Sequence, residues 1–327
     1  MVLLTNSAVV QAANVLLYHH VDDSTPKSTS VSVETFIQHL ELIESLELKV
    51  VPLTAITDKL KAGESIPDHW LAITFDDGYR NVYENAMPLL KERNWPFTVF
   101  VNPKMVKPSK LYMDWDQIKD LINHGGLIAN HTLNHENLVQ DGLSLADIKA
   151  NIESTEALIA EQVGYSLKIL AYPYGEYNQA VKSMLKDMGY VGFAQHSGSI
   201  NESSDLLALT RFPANGIYSN PKTLKNKLAS LPFSFEMTAP LDTHPVTLQP
   251  KWLVKLKERD FYQSQLACFI SGFSKPVKPI WIDDLTFEVQ APENIGTGRI
   301  KYNCTALSKS KRGQFYWTSK LWINPKA

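Results

Sequence analysis

The feature that most constrains this chain is a rhythm: from residue 15 to about 232, short apolar runs alternate with amphipathic stretches. The strand-like runs are Val15–Tyr18, Leu71–Phe75, Thr98–Val101, Leu127–Asn130, Ile169–Tyr172, Val191–Ala194 and Leu209–Phe212. Between them core-type residues recur three and four apart, as at Phe36, Leu40, Ile43 and Leu46, or at Ile148, Ile152, Thr155, Leu158 and Ile159. Ser32 stands where the first helix needs an N-cap. Strand–helix units repeated without long alternating hairpins predict an α/β domain with a parallel sheet, open or closed into a barrel. After Pro232 the texture changes. Residues 265–271, 280–289, 299–306 and 314–323 are strand-like and aromatic-rich, separated by Pro, Gly, Asn and Lys. The expected division is a barrel over 14–235 and a small all-β, sandwich-like domain over 236–327, with 236–250 as linker.

Charge and length narrow the function classes. The 327 residues carry a net charge of -2, which gives no electrostatic reason to expect nucleic acid as a partner. No run approaches the roughly 20 apolar residues of a membrane span. Residues 1–13 end in Val10-Gln11-Ala12, like the small-residue end of a secretory signal, although no Lys or Arg precedes them. They are read as a signal remnant, with a periplasmic or secreted location expected. Cys268 and Cys304 are then either a disulfide or two buried thiols of a small sheet.

Four polar clusters sit immediately after strand-like runs: Tyr18-His19-His20, Asp76-Asp77-Gly78, His131 to His135, and Tyr172-Pro173-Tyr174-Gly175. In a parallel barrel such positions converge on one face, where active sites form. Taken alone, Asp-Asp-Gly is a common turn, and two His four apart are often incidental. Together, two imidazoles and one carboxylate make a three-ligand metal set with an open position, if 131–135 forms a helical turn. Zinc is the default divalent metal on ligand type, with nickel, cobalt and iron also able to accept the set.

With Thr-Phe-Asp-Asp-Gly at 74–78 and His-Thr-x-x-His at 131–135, the chain resembles the polysaccharide deacetylases of NodB homology, the fourth carbohydrate esterase family. The resemblance covers roughly residues 14–215. It implies a distorted (β/α) barrel, Asp77, His131 and His135 on a metal, Asp76 as general base, and the Tyr174 backbone N–H toward an oxyanion. The implied reaction is hydrolysis of acetyl groups on a polysaccharide or oligosaccharide by water that the metal activates.

Two positions depart from the family pattern. Ala171 stands where many members have an Arg that orients the catalytic Asp, and Arg211 is the candidate to replace it. No Leu-x-His supplies a general acid. His19 and His196, each after a strand-like run, are candidates, with His244 weaker. His20, His39, His69 and His124 are expected to have no catalytic role. Tyr79, Trp115, Pro173 and Tyr174 are candidates to contact sugar, and Asp116 to cap the helix from Gln117. The C-terminal aromatics Trp252, Trp281, Trp317, Trp322, Tyr302 and Tyr316 are either a sugar-binding row or core. The leading reading is an N-deacetylase of an N-acetylglucosamine-containing polymer. The alternatives are an O-acetyl (xylan-type) esterase and a carbohydrate-binding barrel that has lost catalysis.

Overall fold

The computed structural model describes residues 12–324. The signal segment expected at 1–13 lies outside these residues except for its end, and Ala13 already opens the first strand. The barrel strands are β1 (Ala13–Tyr18), β2 (Trp70–Phe75), β3 (Phe97–Val101), β4 (Gly126–Asn130), β5 (Ile169–Ala171), β6 (Val191–Phe193) and β7 (Phe212–Pro213). They pair in parallel in the order β7-β1-β2-β3-β4-β5-β6, with a two-residue strand at 49–50 also on β2. Leu209 bridges to Phe193 of β6, while Phe212 pairs with Leu16 of β1. The run 209–213 therefore touches both edges and closes the curled sheet.

The strands read as near-continuous apolar runs because both faces are covered. Val15, Ala72, Phe100, Ala129, Ile169 and Phe193 fill the inside. Leu16, Ile73, Phe75, Val99 and Ile128 alternate with them and meet the helices. Those helices are α1 (Val33–Ser45), α2 (Leu53–Lys61), α3 (Met87–Glu92), α4 (Trp115–Asn123), α5 (Leu145–Val163), α6 (Gln179–Asp187) and α7 (Pro221–Leu228). Ser32 caps α1 as expected, accepting from Thr35 N at 3.0 Å. The cap of α4 is Asp114 rather than Asp116: Asp114 and Gln117 form a reciprocal capping box, so the helix starts at Trp115.

From Phe235 onward the regular elements are strands, apart from one short turn of helix. One antiparallel sheet has the order β8 (Phe235–Ala239), β9 (Lys251–Leu256), β12 (Thr286–Gln290), β11 (Ile280–Trp281). The other has β10 (Ala267–Ile270), β13 (Gly298–Leu307), β14 (Phe315–Asn324). β8 lies, but for Phe235, inside the stretch expected to be linker, and β9 is a strand that the sequence pattern does not mark. Cys268 and Cys304 face each other across β10 and β13 and are joined as a disulfide. Trp252, Trp322, Tyr302 and Tyr316 are buried in this region's core, which decides between row and core for these four.

Candidate active site

Strand ends bring the polar clusters together. Asp76 and Asp77 follow β2, His131 follows β4, and His19 follows β1. Asp77 Oδ1 lies 3.2 Å from His131 Nε2 and 3.4 Å from His135 Nε2, and the three ligand atoms lie within 4.8 Å of one another. The buried Asp77 Oδ1 and His131 Nε2 make no hydrogen bond. Two buried polar atoms aimed at a common point without partners carry a desolvation cost that a cation would remove. His131 Nδ1 lies 2.8 Å from the Ala171 carbonyl, which fixes the proton there and leaves Nε2 as a lone-pair donor. Burial opposes protonation of His131, but the negative charges of Asp76 and Asp77 outweigh it and raise its pKa. The same negative potential suits a divalent cation. The residues present therefore fit a metal of the expected kind.

The backbone here is unusual. Among the described residues eight non-glycine positions have positive φ, and four of them, Asp77, Thr132, His135 and Tyr174, belong to this site. Such conformations persist only where the surroundings hold them. The segment 131–135 is thus a loop, not the helical turn that its spacing suggested. Its holders are asparagines that sequence reasoning gave no role. Asn102 donates to the His131 and Thr132 carbonyls, Asn130 Oδ1 accepts from Thr132 N, and Asn151 Oδ1 accepts from Leu133 N. Gly78 and Gly175 also have positive φ, and a Cβ on Gly175 would stand 2.5 Å from that of Gln195.

Asp76 is fully buried, lies outside the ligand set and is held by Arg211. Arg211 Nη1 donates to Asp76 Oδ1 at 2.7 Å and Nη2 to Oδ2 at 2.9 Å, while its Nε donates to the Ala194 carbonyl. Burial alone would raise the Asp76 pKa, but the adjacent Arg211 and His131 charges hold it below the usual carboxylate range. Ala171, lacking a guanidinium, offers its carbonyl to His131, and the guanidinium comes from Arg211 on the neighbouring run.

The remaining candidates separate. His19 joins the site: Asp76, Asp77, Arg211 and His131 all act on its charge, and burial lowers its pKa. The Asn215 amide stands 3.2 Å from its Nδ1, which favours the tautomer with the proton on Nε2. His196 is not brought there, which corrects its candidacy as acid. It is buried in the seam against Tyr177, its charged neighbours are Lys301, Lys320 and Lys182, and burial pushes it down to about 3. His244 pairs with Asp242 in the C-terminal region. Tyr174 is exposed and sets its ring edge-on to His135 at 4.5 Å, and its carbonyl accepts from Arg299 of β13. Pro173 is buried, so it shapes the loop rather than meeting a sugar. Trp115 packs half-buried on the helix-facing core. Tyr79 is stacked between His20 (3.6 Å) and Tyr112 (5.3 Å), and both burial and the Asp77 charge raise its pKa. His20, expected to be uninvolved, thus buttresses the wall of the site.

Residues 64–193 match the polysaccharide deacetylase family. The Bacillus subtilis (strain 168) protein YxkH is 27% identical over 203 residues, covering 60% of this chain and 69% of the relative. A poly-beta-1,6-N-acetyl-D-glucosamine N-deacetylase of Staphylococcus aureus (strain MRSA252) is 26% identical over 211 residues, covering 60% of this chain and 72% of the relative. The Streptococcus pyogenes deacetylase PplD superposes with a TM-score of 0.61 at 21% identity, over 67% of this chain and 99% of that one.

Proposed function

The barrel is that of a polysaccharide deacetylase of NodB homology, and from that premise we propose a metal-dependent hydrolase that removes N-acetyl groups from an N-acetylglucosamine polymer. The observation that carries the reading is the division of labour between two adjacent carboxylates. Asp77 converges with His131 and His135, while Asp76 stays outside that set and is held by Arg211. Asp77, His131 and His135 would hold the divalent ion, zinc on ligand type. When bound, such an ion supplies Lewis acidity toward the acetyl carbonyl and the attacking water.

The protein's own groups supply the rest. Asp76, kept ionised and oriented by the Arg211 fork, accepts the proton of the attacking water. Its low basicity is the cost of that orientation, since the fork stabilises the carboxylate over the carboxylic acid. The Tyr174 N–H, presented by a left-handed turn, is the backbone donor for the developing oxyanion. The leaving amine needs a proton, and we assign its delivery to His19, which must first take one up, from Asp76 or from solvent, because a neutral imidazole is too weak an acid to give its own Nε2–H. A binding-only barrel draws on the missing Arg at 171 and the absent Leu-x-His, and the Arg211 fork removes the first of these reasons. The relative acting on poly-beta-1,6-N-acetyl-D-glucosamine supports an N-acetyl over an O-acetyl substrate. The Cys268–Cys304 disulfide supports a location outside the reducing cytoplasm. Among the described residues no helix is long and apolar enough to cross a membrane.

The test is acetate release by metal-reconstituted protein from N-acetylglucosamine oligomers, peptidoglycan fragments and acetylxylan in parallel. Release from the N-acetylated substrates, abolished by chelator and restored by divalent metal, is expected. Release from acetylxylan alone would replace the reading with the esterase one.

A further inference from the structure

Away from Asp76, a cleft of about 380 Å³ opens between the barrel and the outer face of the β10-β13-β14 sheet. Its walls carry Tyr218, Phe269, Phe315 and Trp317 beside Asn226 and Asn303. Tyr218, Phe269 and Phe315 are 45%, 50% and 37% exposed, although aromatics of this size are ordinarily covered. A purely apolar occupant would cover the rings but strand the two amides and the nearby lysines. Pyranose units suit the mixture, with C–H faces for the rings and hydroxyl and acetamido groups for the amides. Asn303 meets Ser319 Oγ at 2.6 Å through one end of its amide, and the other end is left to meet a ligand.

We propose that this cleft is a second saccharide subsite, one that holds an uncharged, still N-acetylated stretch of the polymer. The proposal rests on the deacetylase reading and names which part of the substrate lies where. Charge supports the preference for acetylated units. Lys227 and Lys301 line the cleft, each fixed by backbone carbonyls, and no Asp or Glu does among the described residues. A deacetylated glucosamine unit carries an ammonium and would be repelled there. Position supports continuity with the catalytic face. Pro213 and Tyr218 of the cleft flank Asn215, which holds His19. Arg299, which holds the Tyr174 carbonyl, shares a strand face with Asn303 four residues on, roughly 13 Å away at strand rise. One oligomer can span both; a single sugar cannot.

Binding is measured by calorimetry in the Asp76→Asn background, with N-acetylglucosamine oligomers and matching glucosamine oligomers of increasing length. The double variant Phe269→Ala/Phe315→Ala should bind long acetylated oligomers about tenfold more weakly. With Asp76 intact, it should hydrolyse a small acetyl ester at the unaltered rate, which also reports that the barrel is folded. Asn303→Asp, which keeps the Ser319 bond, should shift preference toward glucosamine oligomers. Equal affinity of parent and double variant at every length, or no shift with Asn303→Asp, would overturn the proposal. A parent that binds in a Phe269- and Phe315-dependent way yet hydrolyses neither oligomer nor ester would sink the deacetylase reading and leave the subsite standing.

Discussion

Arg211 grips Asp76 through two parallel hydrogen bonds across 135 residues of sequence, and both side chains are fully buried. A buried carboxylate with one fork-shaped partner has its charge and its direction set together.

Arg211→Ala should therefore do two kinds of damage. Leaving the Asp76 charge buried and unpaired should cost about 3–5 kcal/mol of stability, and kcat should fall by about 10²-fold or more. Arg211→Lys should recover more of the stability than of the rate, because it restores charge without the fork. Chemical denaturation and acetate release on the same samples measure both, and an unchanged kcat in Arg211→Ala would remove the orienting role.

His19→Gln separates acid catalysis from support of the site. Turnover of an N-acetyl sugar, whose amine must be protonated to leave, should fall by about 10²-fold. Hydrolysis of an activated aryl ester, whose leaving group needs no proton, should fall much less. Equal losses on both substrates would assign His19 to positioning alone.

Arg299 is exposed at the edge of β13, yet it donates to the Tyr174 carbonyl and stands 3.6 Å from Glu176. Arg299→Ala should lower kcat several-fold while leaving the melting temperature nearly unaltered, since an exposed pair contributes under about 1 kcal/mol. A drop in stability without a drop in kcat would mean that the contact only ties the sheets to the barrel.

His39 gives the stability a pH dependence of definite sign. Fully buried between Tyr18 OH and the Ser219 carbonyl, it has its pKa pushed down by burial to about 4. A base whose folded pKa lies below its unfolded value of about 6.5 binds fewer protons when folded. Its contribution is complete above that unfolded value and is lost as pH falls toward 4, about 2 kcal/mol between pH 7 and 5. His39→Gln should start less stable at pH 7 and lose less on acidification, measured by urea unfolding at the two pH values. A steeper loss in the variant would contradict the assignment.

How much of this was legible beforehand differs residue by residue. Asp76, Asp77, His131 and His135 stood out because a parallel barrel places strand ends on one face, a rule that needs no knowledge of how the loops run. That rule fits His19 and His196 equally well. Only the structure, which packs His196 against Tyr177 in the seam with the C-terminal sheets, tells them apart. The His131–His135 spacing suggested a helical turn, whereas three asparagines hold a loop with left-handed residues, and such side chain to backbone bonds leave no periodic trace. Arg211 could be nominated from the gap at Ala171, but its fork geometry depends on a closure through Leu209 and Phe212 that one strand pattern does not encode. Of the two readings open for the C-terminal aromatics, core holds for Trp252, Trp322, Tyr302 and Tyr316, and β14 buries every position from Thr318 to Ile323 on both faces.

Metal content and turnover, read together in Asp76→Asn and Asp77→Asn, test the central claim most directly. Asp76→Asn should retain the parent's bound divalent metal by mass spectrometry of the protein and lose acetate release by at least about 10²-fold, whereas Asp77→Asn should lose metal and activity together. Metal lost from Asp76→Asn and kept by Asp77→Asn would contradict the account.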